Sequence, residues 1–556
     1  MSRQCLILIA VCLLTLFAGL GRPPITDSDE AFYAEGAREM LEGGDWLTPH
    51  FNYENRFEKP VLYYWLAAST YNLLGVNEKN ARLPSALAGL GLTLLTFFLG
   101  RKWFNDSIGL LAGLIIATCF GCVAMARQAL PDLTLAFFVT LATYSALTAW
   151  LNPPNAALKI NTAARRWYVL VAAVAAAGGF LTKGPVALVL PFLVVAPILF
   201  YEYWAQRSLR HIKLIDTTLG IGLFFLLTAP WFLGMIFVHG IEYADRFFLT
   251  ENFDRFATDR YNAPRPWWYY GPIVIGGLFP WSLYMPLWLP RLWTFTTRRY
   301  RAIDLPTAIL VWWALAPLLF YTLSVGKQPR YILPLLCPLA LLLATTICSS
   351  FTNKKSSRDY LMTSCTILTG GVMVTIGIMI FRAKILFIEW NPNLITVVAV
   401  GVGLSGLIVC LTSAKPRWTP VAVAFAAILT TLGAHYVVLA NPGPAPVERM
   451  ASLLVKARQN EEPYGRHAVF NRNLVFYTRA RFLELPVLRA ADDLLRQSER
   501  VLCVLKEEDA QTLRDRGIAL TSLGEVTYLN TGSLTLRTFL SPSPKHHQRV
   551  VLVENR

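Results

Sequence analysis

Long apolar segments recur along most of the chain and are separated by short polar loops. Each segment is long enough to cross about 30 Å of hydrocarbon as a helix. The pattern therefore predicts a protein that crosses a membrane many times. We place about thirteen transmembrane helices, at residues 4–20, 83–100, 107–123, 133–151, 167–182, 185–203, 214–238, 269–290, 305–324, 331–349, 360–381, 394–411 and 419–440.

One apolar segment, Val61–Val76, is poorly suited to crossing. It is short, rich in Tyr and Trp, and interrupted by Ser69, Thr70 and Asn72, which favours a helix lying in the membrane interface. If it lies flat, the loops on one side hold seventeen Lys and Arg, against ten on the other. The positive-inside rule then predicts a cytoplasmic N-terminus, with the 21–82 loop and the C-terminal tail outside.

The hydropathy changes after residue 440. Asn441–Pro446 is typical of a linker, and short β-like runs then alternate with charged helix-like runs. We therefore predict an all-α polytopic membrane domain over 1–440 and a small soluble α/β or α+β domain over 441–556. His546 and His547 fall in a Pro- and Ser-rich tail that we predict to be unstructured.

The composition agrees with a membrane protein. Charged residues make up 15% of the chain, whereas a soluble protein carries about 25%. The net charge of +16 would suggest nucleic acid in a soluble protein, but much of it lies in loops that set topology, so we expect no nucleic-acid partner. The nine cysteines show no disulfide or metal-site spacing. No small-residue cleavage site precedes Arg22, so we expect the first segment to be retained.

Ionisable residues gather on the predicted outer face. Some have simple explanations, since an acidic pair at 29–30 suits a helix cap and Lys59 suits a snorkelling side chain. Asp132 is harder to explain, because a carboxylate entering an apolar span is costly unless it is paired or faces water. The residues that topology places together are Asp29, Lys59, Arg127, Asp132, Lys183, Lys327, Arg330 and Tyr331.

This set of groups suits a phosphate-bearing substrate. Cations bind phosphate through charge-assisted hydrogen bonds, and a carboxylate beside them suits general base catalysis. Nucleotide sugars are absent outside the cytoplasm, where activated sugars are carried on polyprenyl phosphate. The residues therefore suggest glycosyl transfer from a lipid-linked sugar at the lipid–water boundary.

Motifs along the first 440 residues resemble those of the 4-amino-4-deoxy-L-arabinose transferases of lipid A and their relatives. These are bacterial glycosyltransferases of the GT-C fold, related to protein O-mannosyltransferases. The matching stretches are 26–30, 33–35, 38–40, 44–46, 49–50, 57–60, Asp132, 181–184 and 326–334.

The resemblance implies an inner-membrane enzyme of the GT-C fold whose site opens to the periplasm and whose donor is a sugar on undecaprenyl phosphate. It implies that Asp29 is the catalytic carboxylate, that Asp132 supports the site, and that Lys59 and Tyr331 hold the donor phosphate. From the topology we add Lys327, Arg330 and Arg127 as phosphate-binding candidates.

Two positions depart from the family pattern. The family commonly has an arginine three residues after the first aspartate, where this chain has Phe32. A zinc-binding histidine of the family aligns with Asn252, although its partner Glu58 is retained. A divalent metal and the identity of the sugar are therefore left open.

We predict a glycosyltransferase that moves a sugar, with 4-amino-4-deoxy-L-arabinose one candidate, from undecaprenyl phosphate to lipid A or another envelope glycolipid. One alternative is a protein O-glycosyltransferase of the same fold. The other is a lipid-linked sugar flippase without chemistry, although a transporter is expected to place its ionisable residues near the bilayer midplane.

Overall fold

The computed structural model describes residues 2–151, 161–206, 213–259, 264–289, 304–352, 356–386, 391–436, 443–459, 462–529, 535, 538, 540–543 and 546–555. The division that we predict at residues 440 and 441 lies outside these ranges.

The α-helices of the first 440 residues are Arg3–Cys12, Asp29–Gly43, Leu62–Leu74, Glu78–Trp103, Asp106–Thr118, Phe120–Ala126, Pro131–Trp150, Thr162–Lys183, Val186–Gln206, Leu214–His239, Ile241–Asp245, Arg255–Ala257, Tyr270–Gly277, Leu305–Leu323, Leu336–Thr352, Ser356–Arg382, Pro392–Leu411 and Thr419–Ala434.

The predicted polytopic helical fold is confirmed. In the described chain, ten helices are long and apolar enough to cross a membrane, and the bent pair Asp106–Thr118 and Phe120–Ala126 makes an eleventh candidate. The first predicted span is a shorter apolar helix, Arg3–Phe17. The predicted span 269–290 is divided into Tyr270–Gly277 and the 3₁₀ helix Trp281–Trp288, because prolines interrupt the helical hydrogen bonds there.

The loop between the first helix and Glu78 forms a compact layer around the Asp29 helix (Asp29–Gly43). Ser28 caps the start of this helix, because its hydroxyl accepts the N–H of Glu30, and Gly44 caps the end in the left-handed conformation. The helix Leu62–Leu74 packs against it through Tyr33, whose ring centroid lies 5.4 Å from Tyr63. With 13 residues, Leu62–Leu74 is about 20 Å long, too short to cross the hydrocarbon.

A buried ion pair fixes the start of the Asp29 helix. Arg82 Nε lies 2.7 Å from Glu30 Oε1, which also accepts the N–H of Ala129 at 2.9 Å. Both side chains are almost fully buried, and Arg82 also donates to carbonyls at Leu20, Pro23 and Pro24. Glu30 therefore has a structural role, and it holds the neighbouring Asp29 in a defined position.

The C-terminal unit (Pro446–Glu554) is a mixed sheet covered by helices. Its strands are Tyr464–Arg466, Phe482–Glu484, Leu502–Lys506, Thr521–Leu529 and His547–Glu554, in the spatial order second, first, third, fifth and fourth. Its helices are Pro446–Ala457, Leu474–Thr478, Leu488–Leu495 and Glu507–Asp515. Alternate residues of the central strands enter two separate apolar clusters, one on each face of the sheet.

The predicted disorder of the C-terminal tail is wrong at His547, which begins a strand. The apolar residues of this strand, Val550 to Val553, are buried in the sheet. The strand pairs antiparallel with Leu502–Lys506 and Thr521–Leu529. The combination of helices and strands in this unit is as predicted.

The C-terminal unit contacts the 21–82 loop through several hydrogen bonds. Asn52 donates to Phe482 O at 2.9 Å and accepts from Phe482 N at 2.8 Å. The hydroxyl of Tyr477 accepts the N–H of Ile25 at 2.8 Å and donates to Glu78 at 3.0 Å. The unit therefore lies directly over the layer that carries Asp29.

Candidate active site

Asp29 lies between two arginines from distant parts of the chain. Its Oδ2 accepts a hydrogen bond from Arg330, and its Oδ1 lies 2.9 Å from Arg472 Nη1. The side chain of Asp29 is 37% exposed, so it stays accessible to a substrate. Burial acts to raise the pKa of Asp29, but Arg330, Arg472 and Arg56 together hold that pKa below its usual value. Asp29 is therefore an ionised carboxylate at neutral pH.

Asp132 lies on the other side of Arg330. It is in the first turn of Pro131–Trp150, and its Oδ1 lies 2.6 Å from Lys183 Nζ and 3.5 Å from Arg330 Nε. The side chain is 3% exposed, and a carboxylate so buried persists because it is paired. The charges form an alternating row, which we call the charge row: Arg472, Asp29, Arg330, Asp132 and Lys183.

A cavity of about 300 Å³ lies beside the Lys183 end of the charge row. Its charged lining is Lys59, Lys183, Arg255 and Glu251, with Tyr331 beside them, and phenylalanines form much of its wall. Burial, followed by Arg255 and Lys183, holds the pKa of Lys59 well below its usual value. With three cations against the one carboxylate of Glu251, the cavity is suited to an anion.

A second cavity, of about 420 Å³, lies on the opposite side of the segment Pro329–Leu335. Arg330 lines this cavity, whereas the next residue, Tyr331, lines the first. Its walls are mainly apolar side chains and glycines, with Gln128 and Gln328 as its other polar residues. Each cavity is therefore lined by one cation that pairs with Asp132: Lys183 in the first and Arg330 in the second.

The structure brings together five of the seven residues for which we predict catalytic or phosphate-binding roles: Asp29, Lys59, Asp132, Arg330 and Tyr331. It places Arg127 elsewhere, where its N–H groups donate to carbonyls of the first helix at Thr15 and Ala18. Lys327 is buried and donates to Ser324 O at 2.5 Å in its own loop. The predicted phosphate-binding role of Arg127 and Lys327 is not supported by this placement, because loop topology indicates a side of the membrane and not a distance.

The residues at the aligned metal position do not fit a metal ion. The carboxylate of Glu58 pairs with Arg56, and Asn252 Nδ2 donates to Phe247 O at 2.7 Å. Within the described ranges, no group of three His, Cys, Asp or Glu side chains is arranged to hold a metal. No catalytic step is therefore assigned to a metal.

Three arginines of the site are absent from the sequence prediction. Arg56 and Arg472 both stack on Phe32, at 3.6 Å and 4.6 Å from its ring centroid. Two cations therefore flank the position where this chain has phenylalanine and the family commonly has arginine. Arg255 lies in the cation-lined cavity and pairs with Glu251 at 2.8 Å. The spacing of Glu251 and Arg255 signals a helical ion pair, but nothing in the sequence connects Arg472 with Asp29.

The fold is shared with a solved glycosyltransferase. The crystal structure of ArnT from Cupriavidus metallidurans bound to undecaprenyl phosphate superposes with a TM-score of 0.73, covering 99% of this chain and 98% of that chain at 22% identity. Residues 8–243 match the dolichyl-phosphate-mannose-protein mannosyltransferase family. The chain is thus a polytopic membrane protein of the GT-C glycosyltransferase class.

Its relatives narrow the class. An undecaprenyl phosphate-α-4-amino-4-deoxy-L-arabinose arabinosyl transferase of Pseudomonas fluorescens Pf0-1 is 31% identical over 473 residues, 84% of this chain and 81% of that protein. The chain belongs to this arabinosyl transferase family, as its motifs predict. Two transferases of P. fluorescens Pf-5, 35% and 33% identical, are matched over 61% and 52% of their own length, less than two thirds.

Proposed function

We propose that this protein transfers a sugar from undecaprenyl phosphate to an envelope glycolipid, with 4-amino-4-deoxy-L-arabinose as the sugar and lipid A as the acceptor. The site faces the periplasm, with the N-terminus in the cytoplasm. Residues 1–440 form the transferase domain and 441–556 a periplasmic domain. The observation that carries the proposal is the charge row between a cation-lined cavity and an apolar one.

The cation-lined cavity is the donor site. Lys59, Lys183, Arg255 and Tyr331 surround a space that suits the carrier phosphate, and the phenylalanines beside them suit the first isoprenes. During transfer the bond between the sugar and the carrier phosphate breaks, and the phosphate leaves with the electron pair. The cations stabilise the negative charge that develops on it.

Asp29 acts on the acceptor. Its ionised carboxylate accepts the proton of an acceptor hydroxyl or hydrogen phosphate, or orients that group, while the acceptor oxygen bonds to the sugar carbon. Arg330 and Asp132 keep Asp29 in place. Arg330 lines the apolar cavity, which suits an acyl chain and so favours a lipid acceptor over a peptide.

Purified full-length protein tests the proposal. Incubated with undecaprenyl-phosphate-linked aminoarabinose and lipid A, it is expected to add one sugar mass to lipid A, detected by mass spectrometry. Asp29→Asn should reduce the rate about 100- to 10,000-fold with unchanged abundance, since general base catalysis contributes that much. Glu54→Gln, at an exposed ion pair with Arg481, is the matched control. Normal transfer by Asp29→Asn would refute the role of Asp29.

The family match also names a protein mannosyltransferase, so a protein acceptor is the second candidate. Glycoproteomics of cells with and without the protein separates the two candidates, because a lipid transferase leaves the glycopeptides unchanged. Movement of the intact donor between leaflets of a reconstituted vesicle, without transfer, would instead identify a flippase.

A further inference from the structure

The C-terminal unit places one arginine at the candidate active site. Arg472 Nη1 lies 2.9 Å from Asp29 Oδ1, although 443 positions separate the two residues. The other carboxylate oxygen of Asp29 is bound to Arg330. The two oxygens are therefore held by cations from two different parts of the fold.

The backbone on either side of Arg472 is fixed independently of its charge. Asp27 accepts the N–H of Asn471 at 2.9 Å and that of Arg472 at 2.6 Å. The side chain of Asn473 donates to Ile25 O at 3.0 Å. With its guanidinium stacked on Phe32, the Arg472 side chain is directed at Asp29.

The contact between Arg472 and Asp29 is not needed to hold the C-terminal unit in place. Tyr477, Asn52 and Arg481 bind across the same interface, and Phe476 enters the apolar cluster that surrounds the Asp29 helix. Arg472 and Asp29 are 40% and 37% exposed, and ion pairs of that exposure contribute about 1 kcal/mol or less to stability. An interaction of little structural value at a reactive carboxylate points to a role in the reaction.

We propose that Arg472 is a positioning residue, by which the C-terminal unit orients the Asp29 carboxylate and supplies its second cation for glycosyl transfer. The inference rests on the proposed function of Asp29. Without Arg472, the carboxylate would rotate about Arg330 alone, and one of the three cations that oppose the effect of burial would be lost. The C-terminal unit is then part of the active site.

Kinetics of the full-length protein test this role. Arg472→Gln should lower kcat about 10- to 100-fold with little change in the KM for donor, because a misplaced catalytic group loses that much. The pKa of Asp29 should rise, so the acid limb of the kcat–pH profile should move up by about one pH unit. Arg472→Lys should restore the acid limb but only part of kcat, since lysine keeps the charge without the planar fork.

The matched control is Arg481→Gln, which removes another arginine at the same interface, bound to Glu54 instead of Asp29. It should leave kcat and the acid limb unchanged. An acid limb that does not move in Arg472→Gln overturns the proposal, whatever happens to kcat.

A second measurement needs no substrate. Carbodiimide labels protonated carboxyl groups, so the yield of labelled Asp29 against pH, measured by peptide mass spectrometry, follows its protonation. Arg472→Gln should move the midpoint up by about one pH unit. If the labelling midpoint of Asp29 shifts but the wild-type protein transfers no sugar, the proposed function is refuted and the role of Arg472 at Asp29 is supported. If the wild-type protein transfers sugar but the midpoint does not shift, the role of Arg472 is refuted and the proposed function stands.

Discussion

Replacing Asp132 by asparagine removes a buried charge that two cations share. Lys183 Nζ lies 2.6 Å from Asp132 Oδ1, and Arg330 Nε lies 3.5 Å from the same oxygen. Asparagine keeps the shape of the side chain but leaves Lys183, which is 10% exposed, without its counter-charge. We expect lower stability and a less well-ordered Arg330, hence a less well-ordered Asp29.

The contacts set the size of the effect. Two unit charges 4 Å apart attract by about 4 kcal/mol at an effective dielectric constant of about 20. Burying both charges consumes much of that attraction, but removing one partner leaves the other buried alone, which costs about 3–5 kcal/mol. The double variant Asp132→Asn/Lys183→Met should be more stable than Asp132→Asn alone, because no cation remains buried without a partner.

Thermal unfolding in detergent, followed by intrinsic fluorescence, measures the stability, and the transfer assay measures the activity. Asp106→Asn is the matched control, since it removes a carboxylate from an exposed pair with Arg101. Asp132→Asn should unfold at a clearly lower temperature than the control. Equal unfolding temperatures, or a double variant whose losses simply add, would refute the reasoning from buried charge.

Two further predictions concern pH and the start of the Asp29 helix. Since the pKa of Lys59 is lowered, Lys59 loses its charge as the pH rises through that value, so the KM for donor should rise toward alkaline pH. In Lys59→Arg the KM for donor should not change with pH, because arginine stays charged. A KM that does not change with pH in the wild-type protein would contradict the donor-binding role of Lys59. Glu30→Gln should destabilise the protein by about 3–5 kcal/mol, because it leaves the buried charge of Arg82 without its carboxylate. Thermal unfolding checks this against Glu42→Gln, at a more exposed carboxylate, and equal losses would disprove it.

The membrane fold could be predicted because each span carries its own signal in a continuous apolar run. The same local reasoning marked Asp132 as costly in its span, but it could not name Lys183 as the partner. Side-chain pairing across helices depends on packing, which a single sequence does not display. Arg127 and Asp29 likewise share the predicted outer face of the membrane, but the N–H groups of Arg127 donate to carbonyls at the end of the first helix.

The C-terminal part of the site was beyond sequence reasoning for a different reason. Arg472 lies in a polar stretch, Asn471–Asn473, that resembles any surface loop. Its position at Asp29 follows from how the C-terminal unit packs on the 21–82 loop, a contact between segments more than 400 residues apart. The strand His547–Glu554 was missed because its apolar core follows a Pro- and Ser-rich stretch that is typical of a disordered tail.

The hydrogen bonds of Asn52 affect how the C-terminal unit would behave if it were separated from the membrane domain. Phe482 is on an edge strand of the C-terminal sheet, and the amide of Asn52 satisfies both its N–H and its C=O as a neighbouring strand would. Separated from the first 440 residues, that strand would present unpaired backbone groups and could join another molecule edge to edge. The C-terminal unit is therefore expected to self-associate when expressed alone, and a soluble fragment would need a proline on this edge strand.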